Sequence, residues 1–180
     1  MILYIHGFKS CGKGNKSDAL RRYFGEKKIL APNLPVSPKE AIDFLSNMIN
    51  QNDIELIVGS SLGGFYAIYL AEKFDKKAVL INPSLKPYIT LYPYIGKNSK
   101  FCDGMEFFWK EEYIKELINL KVDKVNLSRY LVLLHSKDEI LNYQETLNFF
   151  IGAKVVVEYG GNHRFENIED YLCMIDRFRY

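Results

Sequence analysis

Val58-Gly59-Ser60-Ser61-Leu62-Gly63-Gly64 follows an apolar run of strand length and precedes Phe65–Phe74, a stretch that is apolar nearly all round. It is a G-x-S-x-G pentapeptide in the strand–turn–helix context that such a motif requires. A sharp turn from strand to helix leaves no room for Cβ atoms at the flanking positions, so glycines stand there and the central Ser61 projects outward. The helix that starts behind Ser61 aims the positive end of its dipole at developing negative charge, and the Leu62 amide can donate to an oxyanion. Ser60 fills the variable position and has no catalytic role in this reading. The plainer alternative, a Gly-rich turn entering a helix, is disfavoured by the flanking elements.

Outward from that turn, apolar runs recur at Ile2–Ile5, Ile29–Ala31, Ile54–Val58, Ala78–Ile81, Tyr130–Leu134 and Lys154–Val157. Most are continuous rather than alternating and rich in β-branched residues, as in strands covered on both faces. Helical patterns separate them. Ala41, Ile42, Phe44, Leu45, Met48 and Ile49 recur at helical spacing after Pro38 in a first turn. Ala19, Leu20, Tyr23 and Phe24 repeat the idea with Ser17 as the expected N-cap, and Ile168–Phe178 closes the chain. This alternation predicts one α/β domain over residues 1–180 with a mostly parallel sheet of about six strands. The regularity fails between Ser84 and Ser128, where aromatic residues crowd around Pro87 and Pro93. Long irregular segments in compact domains tend to be functional, so residues 84–128 are expected to form a lid or pocket wall, with Phe107, Phe108 and Trp109 lining a substrate pocket.

A serine nucleophile needs a base, and the base needs an orienting acid. In a chain of this layout the order is serine, acid, histidine. Of three histidines, His163 follows the last strand in Gly160-Gly161-Asn162-His163, where a flexible loop can fold back over the sheet edge. Asp138 stands in the turn after Tyr130–His135 and is the expected acid. Glu139 competes with it, and otherwise reads as a first-turn charge favouring the next helix. His6, in His6-Gly7-Phe8, precedes Ser61 and is expected to order its loop while the Phe8 amide supplies a second oxyanion donor. His135, inside a strand, reads as a core histidine. No histidine pair has metal-ligand spacing, so no metal is expected. Gly7–Gly14 resembles a phosphate-binding loop, but Gly14 stands where such a loop needs a hydroxyl, which argues against nucleotide hydrolysis.

Composition narrows the class further. Lys and Arg total 24 against 22 Asp and Glu, a net charge of +2 that argues against a nucleic-acid partner. At 180 residues a core needs no covalent staple. Three widely spaced cysteines, Cys11, Cys102 and Cys173, argue against a disulfide scaffold or a zinc knuckle and fit a reducing compartment. No run approaches the length of a membrane span, and Met1–Ile5 lacks the basic start of a signal peptide, so a cytoplasmic location is expected.

With Ser61, Asp138 and His163 in this order, the chain resembles the α/β-hydrolases, and more narrowly the small bacterial YqiA-like esterase family, which has no separate cap domain. The resemblance runs through Ile2–Phe8, Val58–Ala67, Ala78–Pro83, Asp138–Tyr143 and Gly160–Phe165. It departs at Lys137 and Asn142, where the family often has Gly and a second Asp. The resemblance implies hydrolysis of a small-molecule acyl ester by Ser61, Asp138 and His163, with no cofactor. An acyl-CoA thioesterase using the same residues and a non-catalytic binding protein on a hydrolase fold are the competing expectations.

Overall fold

The central apolar runs form strands covered on both faces, with Ile2–Ile5, Leu56–Ser60, Ala78–Ile81 and Tyr130–His135 buried throughout. In the computed structural model, which describes residues 1–180, the strands are β1 (Ile2–Ile5), β2 (Ile29–Leu30), β3 (Leu56–Ser60), β4 (Lys77–Ile81), β5 (Gly96–Ser99), β6 (Glu106–Trp109), β7 (Tyr130–His135) and β8 (Lys154–Glu158). Six of them make one sheet in the order β2-β1-β3-β4-β7-β8, and every pairing in it is parallel. The helices are α1 (Asn15–Phe24), α2 (Pro38–Gln51), α3 (Leu62–Phe74), α4 (Pro87–Thr90), α5 (Glu111–Asn119), α6 (Tyr143–Phe149) and α7 (Leu172–Arg179).

Side chains alternate across the sheet, yet both sets are apolar. Ile2, Tyr4, Leu56, Val58, Val79 and Ile81 pack with Leu20 of α1 and Leu172 and Ile175 of α7. Leu3, Ile5, Ile57 and Leu80 pack on the opposite face with Leu45 of α2, Leu70 of α3 and Leu117 of α5. Helix α3 lies centrally, and its buried residues include Leu62, Phe65, Tyr66, Ala67, Ile68 and Leu70, which accounts for its lack of a polar face. Helix α2 starts as expected: Ser37 is its N-cap, accepting from the Glu40 amide, and Pro38 stands at its first position. Helix α1 begins earlier than expected. Gly14 is its N-cap, and the buried Ser17 sits a turn inside with its hydroxyl accepting from the Gly14 amide at 3.0 Å. The terminal helical pattern divides into a 3₁₀ turn, Ile168–Tyr171, followed by α7.

The segment 84–128 is ordered rather than irregular. It contains α4, an antiparallel hairpin of β5 and β6, and α5, which packs against α2. The cysteine expectation is corrected here, because Cys11 and Cys102 form a disulfide across 91 residues with Cα atoms 6.2 Å apart. That bond fastens the hairpin to the loop after β1, and Cys173 alone remains free. The cysteines therefore no longer argue for a reducing compartment. No helix is long and apolar enough to cross a membrane. Because the sheet is parallel, the loops after β1, β3, β4, β7 and β8 all emerge at its carboxyl edge, where ligands bind in open α/β sheets.

Candidate active site

Ser61 sits on the bend between β3 and α3 with φ 54° and ψ −120°, a conformation that L-residues rarely adopt. Such a backbone costs about 1–3 kcal/mol and persists only when neighbours over-determine it. Here they do. The Ser61 amide donates to the Ile81 carbonyl at 3.1 Å, and the Ser61 carbonyl accepts from Gly64 at 2.9 Å and from Ser84 at 3.0 Å. A Cβ at Gly59 would meet the Gly63 carbonyl, and one at Gly63 would meet the carbonyl of Ile5. Both glycines are thus required by close approach, the first to the helix and the second to strand β1.

His163 lies between Ser61 and Asp138. Its Nδ1–H donates to Asp138 Oδ2 at 2.8 Å, and its Nε2 is 3.0 Å from Ser61 Oγ. The Asp138 side chain is 2% exposed and that of His163 14%, so the arrangement is shielded but open on the serine side. Asp138 Oδ1 accepts from the Ile140 and Leu141 amides at 2.9 and 2.8 Å, which locks the carboxylate in place. Glu139 has a different part from the one the sequence suggested. Its carboxylate accepts from the His163 backbone amide at 2.9 Å, and that bond holds its carboxyl below the ordinary range. Helix α6 has Asn142 as its N-cap, accepting from Gln144, and Glu145 in its first turn, so Glu139 is not its first-turn charge. Lys137 is solvent-exposed, and its amide donates to the Gly160 carbonyl at 3.1 Å. The Gly160 amide in turn donates to Ser136 Oγ at 3.0 Å, so the two loops are stitched together beside Asp138 and His163.

Two residues to which the sequence reading gave no part in the site, Asn82 and the expected core histidine His135, hold the His163 loop. Asn82, 2% exposed, follows β4 with φ 40°. Its side-chain oxygen accepts from the His135 amide at 2.9 Å, while its Nδ2 donates to the carbonyls of Asn162 and His163 at 3.1 and 3.3 Å. One buried amide thus ties the ends of β4 and β7 to the loop after β8. His135 contributes from below: its ring stacks on Phe165 at 3.9 Å, and its Nδ1 accepts from the Asn162 amide at 3.1 Å. Gly161, at φ 69°, passes so close to this ring that a Cβ there would collide with it. The only sequence signal for Asn82 was an Asn-Pro pair directly after a strand.

His6 orders its loop, donating from Nδ1 to the Gly7 carbonyl at 2.9 Å and accepting at Nε2 from the Leu34 amide at 3.3 Å. Burial lowers its pKa, which favours the neutral ring that this pattern needs. The amides of Phe8 and Leu62 take part in none of the loop, turn or cap hydrogen bonds. A cavity of about 380 Å³ opens beside Ser61, Leu62 and His163, walled by Phe8, Pro87, Leu91, Tyr94, Phe101 and Leu141 among others. The insert does wall this cavity, but not through the residues expected. Phe107 and Trp109 line a smaller neighbouring cavity that meets the first at Phe8, Lys9 and Leu62, and both rings pack edge-on against Phe8. Phe108 points the other way and is 59% exposed. The alternation of side chains along β6 is the reason. Cys11, Cys102 and Asp103 have metal-ligand spacing, but the two thiols are joined in the disulfide, leaving a single carboxylate.

A six-stranded parallel sheet covered by helices on both faces matches the fold of the α/β-hydrolases. Solved structures bear out the fold. Mouse alpha/beta hydrolase domain-containing protein 10 superposes with a TM-score of 0.75 at 18% identity, covering 98% of this chain and 88% of that one. Est1E from Butyrivibrio proteoclasticus, solved with ferulic acid bound, gives 0.75 at 17% identity over 99% and 89%. The chain belongs to the uncharacterised protein family UPF0227, whose model matches residues 1–180. The UPF0227 protein YcfP of Escherichia coli O9:H4 (strain HS) is 29% identical over 189 residues, spanning 99% of this chain and 98% of the relative.

Proposed function

We propose that this protein is a serine hydrolase that cleaves small-molecule carboxylic esters through an acyl-serine intermediate. One observation carries the reading: His163 bridges Ser61 at 3.0 Å and Asp138 at 2.8 Å. In this mechanism His163 Nε2 takes the Ser61 proton as Oγ attacks the ester carbonyl, and Asp138 keeps the other imidazole proton on Nδ1. The uncommitted amides of Phe8 and Leu62 stabilise the tetrahedral oxyanion, aided by the α3 dipole. His163 then protonates the departing alcohol, and water activated by the same ring releases the acid. The chemistry requires no cofactor. The YqiA-like resemblance and the esterase fold neighbours support the same assignment. Fluorophosphonate treatment of the folded protein tests it: labelling at Ser61 is expected, and absence of labelling would favour a non-catalytic binding protein. A screen of esters and acyl-CoA thioesters graded by chain length then separates esterase from thioesterase.

Two further outcomes follow from the geometry. Asn82→Gly keeps the backbone conformation but removes the amide that fixes the His163 loop. It should lower kcat by about 10- to 100-fold with a smaller change in KM, because small displacements of a reacting group are costly. Equal kcat for the variant and the parent would show that the loop holds His163 without Asn82. Leu91→Ala, in the wall of the Ser61 cavity, should shift chain-length preference more than it changes acetyl-ester hydrolysis, since each lost methylene contact is worth about 1 kcal/mol. Uniform loss across all chain lengths would assign Leu91 to packing alone.

A further inference from the structure

The cavity beside Ser61 is mostly apolar, so its polar groups are informative. Lys9 is half-buried there, with its ammonium 4.9 Å from the Phe101 ring centroid and 5.9 Å from that of Tyr94. These two rings hold the cation without neutralising it. The loop also holds it, since Lys9 adopts φ 60° and its carbonyl accepts from the Phe101 amide at 2.7 Å. No acidic side chain lines the cavity. Asp138 is committed to the His163 ring and Glu139 to the His163 amide, while Asp103, beside Cys11, accepts from the Met105 amide and makes no ion pair with Lys9. Lys9 makes no ion pair, whereas eight other Lys and Arg side chains do, among them Arg21, Lys86 and Lys97.

A second group is unanswered in the same cavity. Ser84 is 4% exposed, its hydroxyl has no hydrogen-bond partner, and its amide is bonded to the Ser61 carbonyl. Buried polar groups in native proteins are nearly always paired, and an orphan in a binding cavity is expected to meet a polar atom of the ligand. Lys100 lines the adjoining cavity together with Lys9, adding positive rather than negative charge around Phe8. An uncharged acyl chain would leave both the fixed cation and the hydroxyl without a counterpart.

We propose that the substrate is an ester bearing an anionic group, a carboxylate or a phosphate, and that Lys9 is the residue that selects it. This rests on the hydrolase reading above and adds to it the charge of the substrate. The anion sits either on the acyl chain or on the alcohol, and matched substrates distinguish the two. Mono-4-nitrophenyl glutarate and its methyl ester place the charge on the acyl side. 4-Acetoxybenzoate and methyl 4-acetoxybenzoate place it on the alcohol side.

The readout is the ratio of kcat/KM for the anionic over the neutral member of each pair, which a general structural defect would not move. In at least one pair, Lys9→Met should lower that ratio by about five- to tenfold, the scale expected of one partly desolvated charge pair. Lys9→Arg should retain it, and about 1 M NaCl should reduce it in the parent protein, because the Debye length there is only about 3 Å. An unchanged ratio in both pairs, or equal losses on both members, overturns the role of Lys9 while leaving the hydrolase reading intact. No turnover of any of the four esters overturns this inference and, together with no labelling of Ser61, the hydrolase reading as well.

Discussion

Ser61→Ala is expected to lower ester hydrolysis by at least about 10³-fold while leaving the fold intact. The substitution removes one oxygen, whose hydrogen bond in the resting protein is to His163 Nε2 at 3.0 Å. Everything that fixes the elbow is backbone: the bonds of the Ser61 amide and carbonyl to Ile81, Gly64 and Ser84, and the contacts that require glycine at 59 and 63. Alanine has the same Cβ and tolerates the positive φ no worse than serine, so the melting temperature should move little. Residual turnover would come from the oxyanion donors and from binding alone. Ser60→Ala is the matched control. Ser60 is buried at the end of β3 and its side chain has no partner among the site residues, so that variant should stay active. Kinetics, fluorophosphonate labelling and melting curves on the two variants decide the matter. An inactive Ser60→Ala beside an active Ser61→Ala would place the nucleophile one residue earlier.

The elbow was legible because its chemistry is local. Five consecutive residues must satisfy a close strand–helix turn, and that constraint leaves glycines in the sequence. The meeting of Asp138 and His163 beside Ser61 was legible for a different reason: a parallel sheet delivers the end of every strand to one edge, so strand order alone brings together residues far apart in the chain. The pocket walls obey no such rule. Whether Phe107, Phe108 or Trp109 faces the cavity depends on the register of a hairpin, and a shift of one position turns every side chain to the other face. The Cys11–Cys102 pairing was equally hidden, since it depends on how the hairpin docks against the loop after β1. Asn82 escaped notice because its work is done through backbone groups of residues 135, 162 and 163, which carry no mark in the sequence. For Glu139 the sequence reading identified a charged neighbour of the site but placed its effect on a helix rather than on the His163 amide.

Asp138→Asn should reduce turnover by about 10⁴-fold with little loss of folded protein. The reason lies in the two oxygens of the carboxylate. Oδ1 accepts from two backbone amides, of Ile140 and Leu141, and Oδ2 accepts from His163 Nδ1. An asparagine has only one accepting oxygen. If that oxygen stays with the backbone amides, its NH₂ group faces His163 and forces Nδ1 to accept. The imidazole proton then moves to Nε2, where it points at Ser61 and prevents the ring from taking the serine proton. If the side chain flips instead, its NH₂ confronts two backbone donors and the loop that carries it loses its anchor. Glu139→Gln is a different case, because the glutamine oxygen can still accept from the His163 amide. It should remain active near neutral pH. The Glu139 carboxyl is held below its ordinary range by that bond, so the contribution of the bond is present at neutral pH and is lost as pH falls through the depressed value. The glutamine variant lacks this acid-dependent loss. Steady-state kinetics beside nitrogen-15 spectra of the His163 ring test both claims, with the Nε2–H tautomer expected in Asp138→Asn. A nearly normal Asp138→Asn enzyme beside a crippled Glu139→Gln would transfer the orienting role to Glu139.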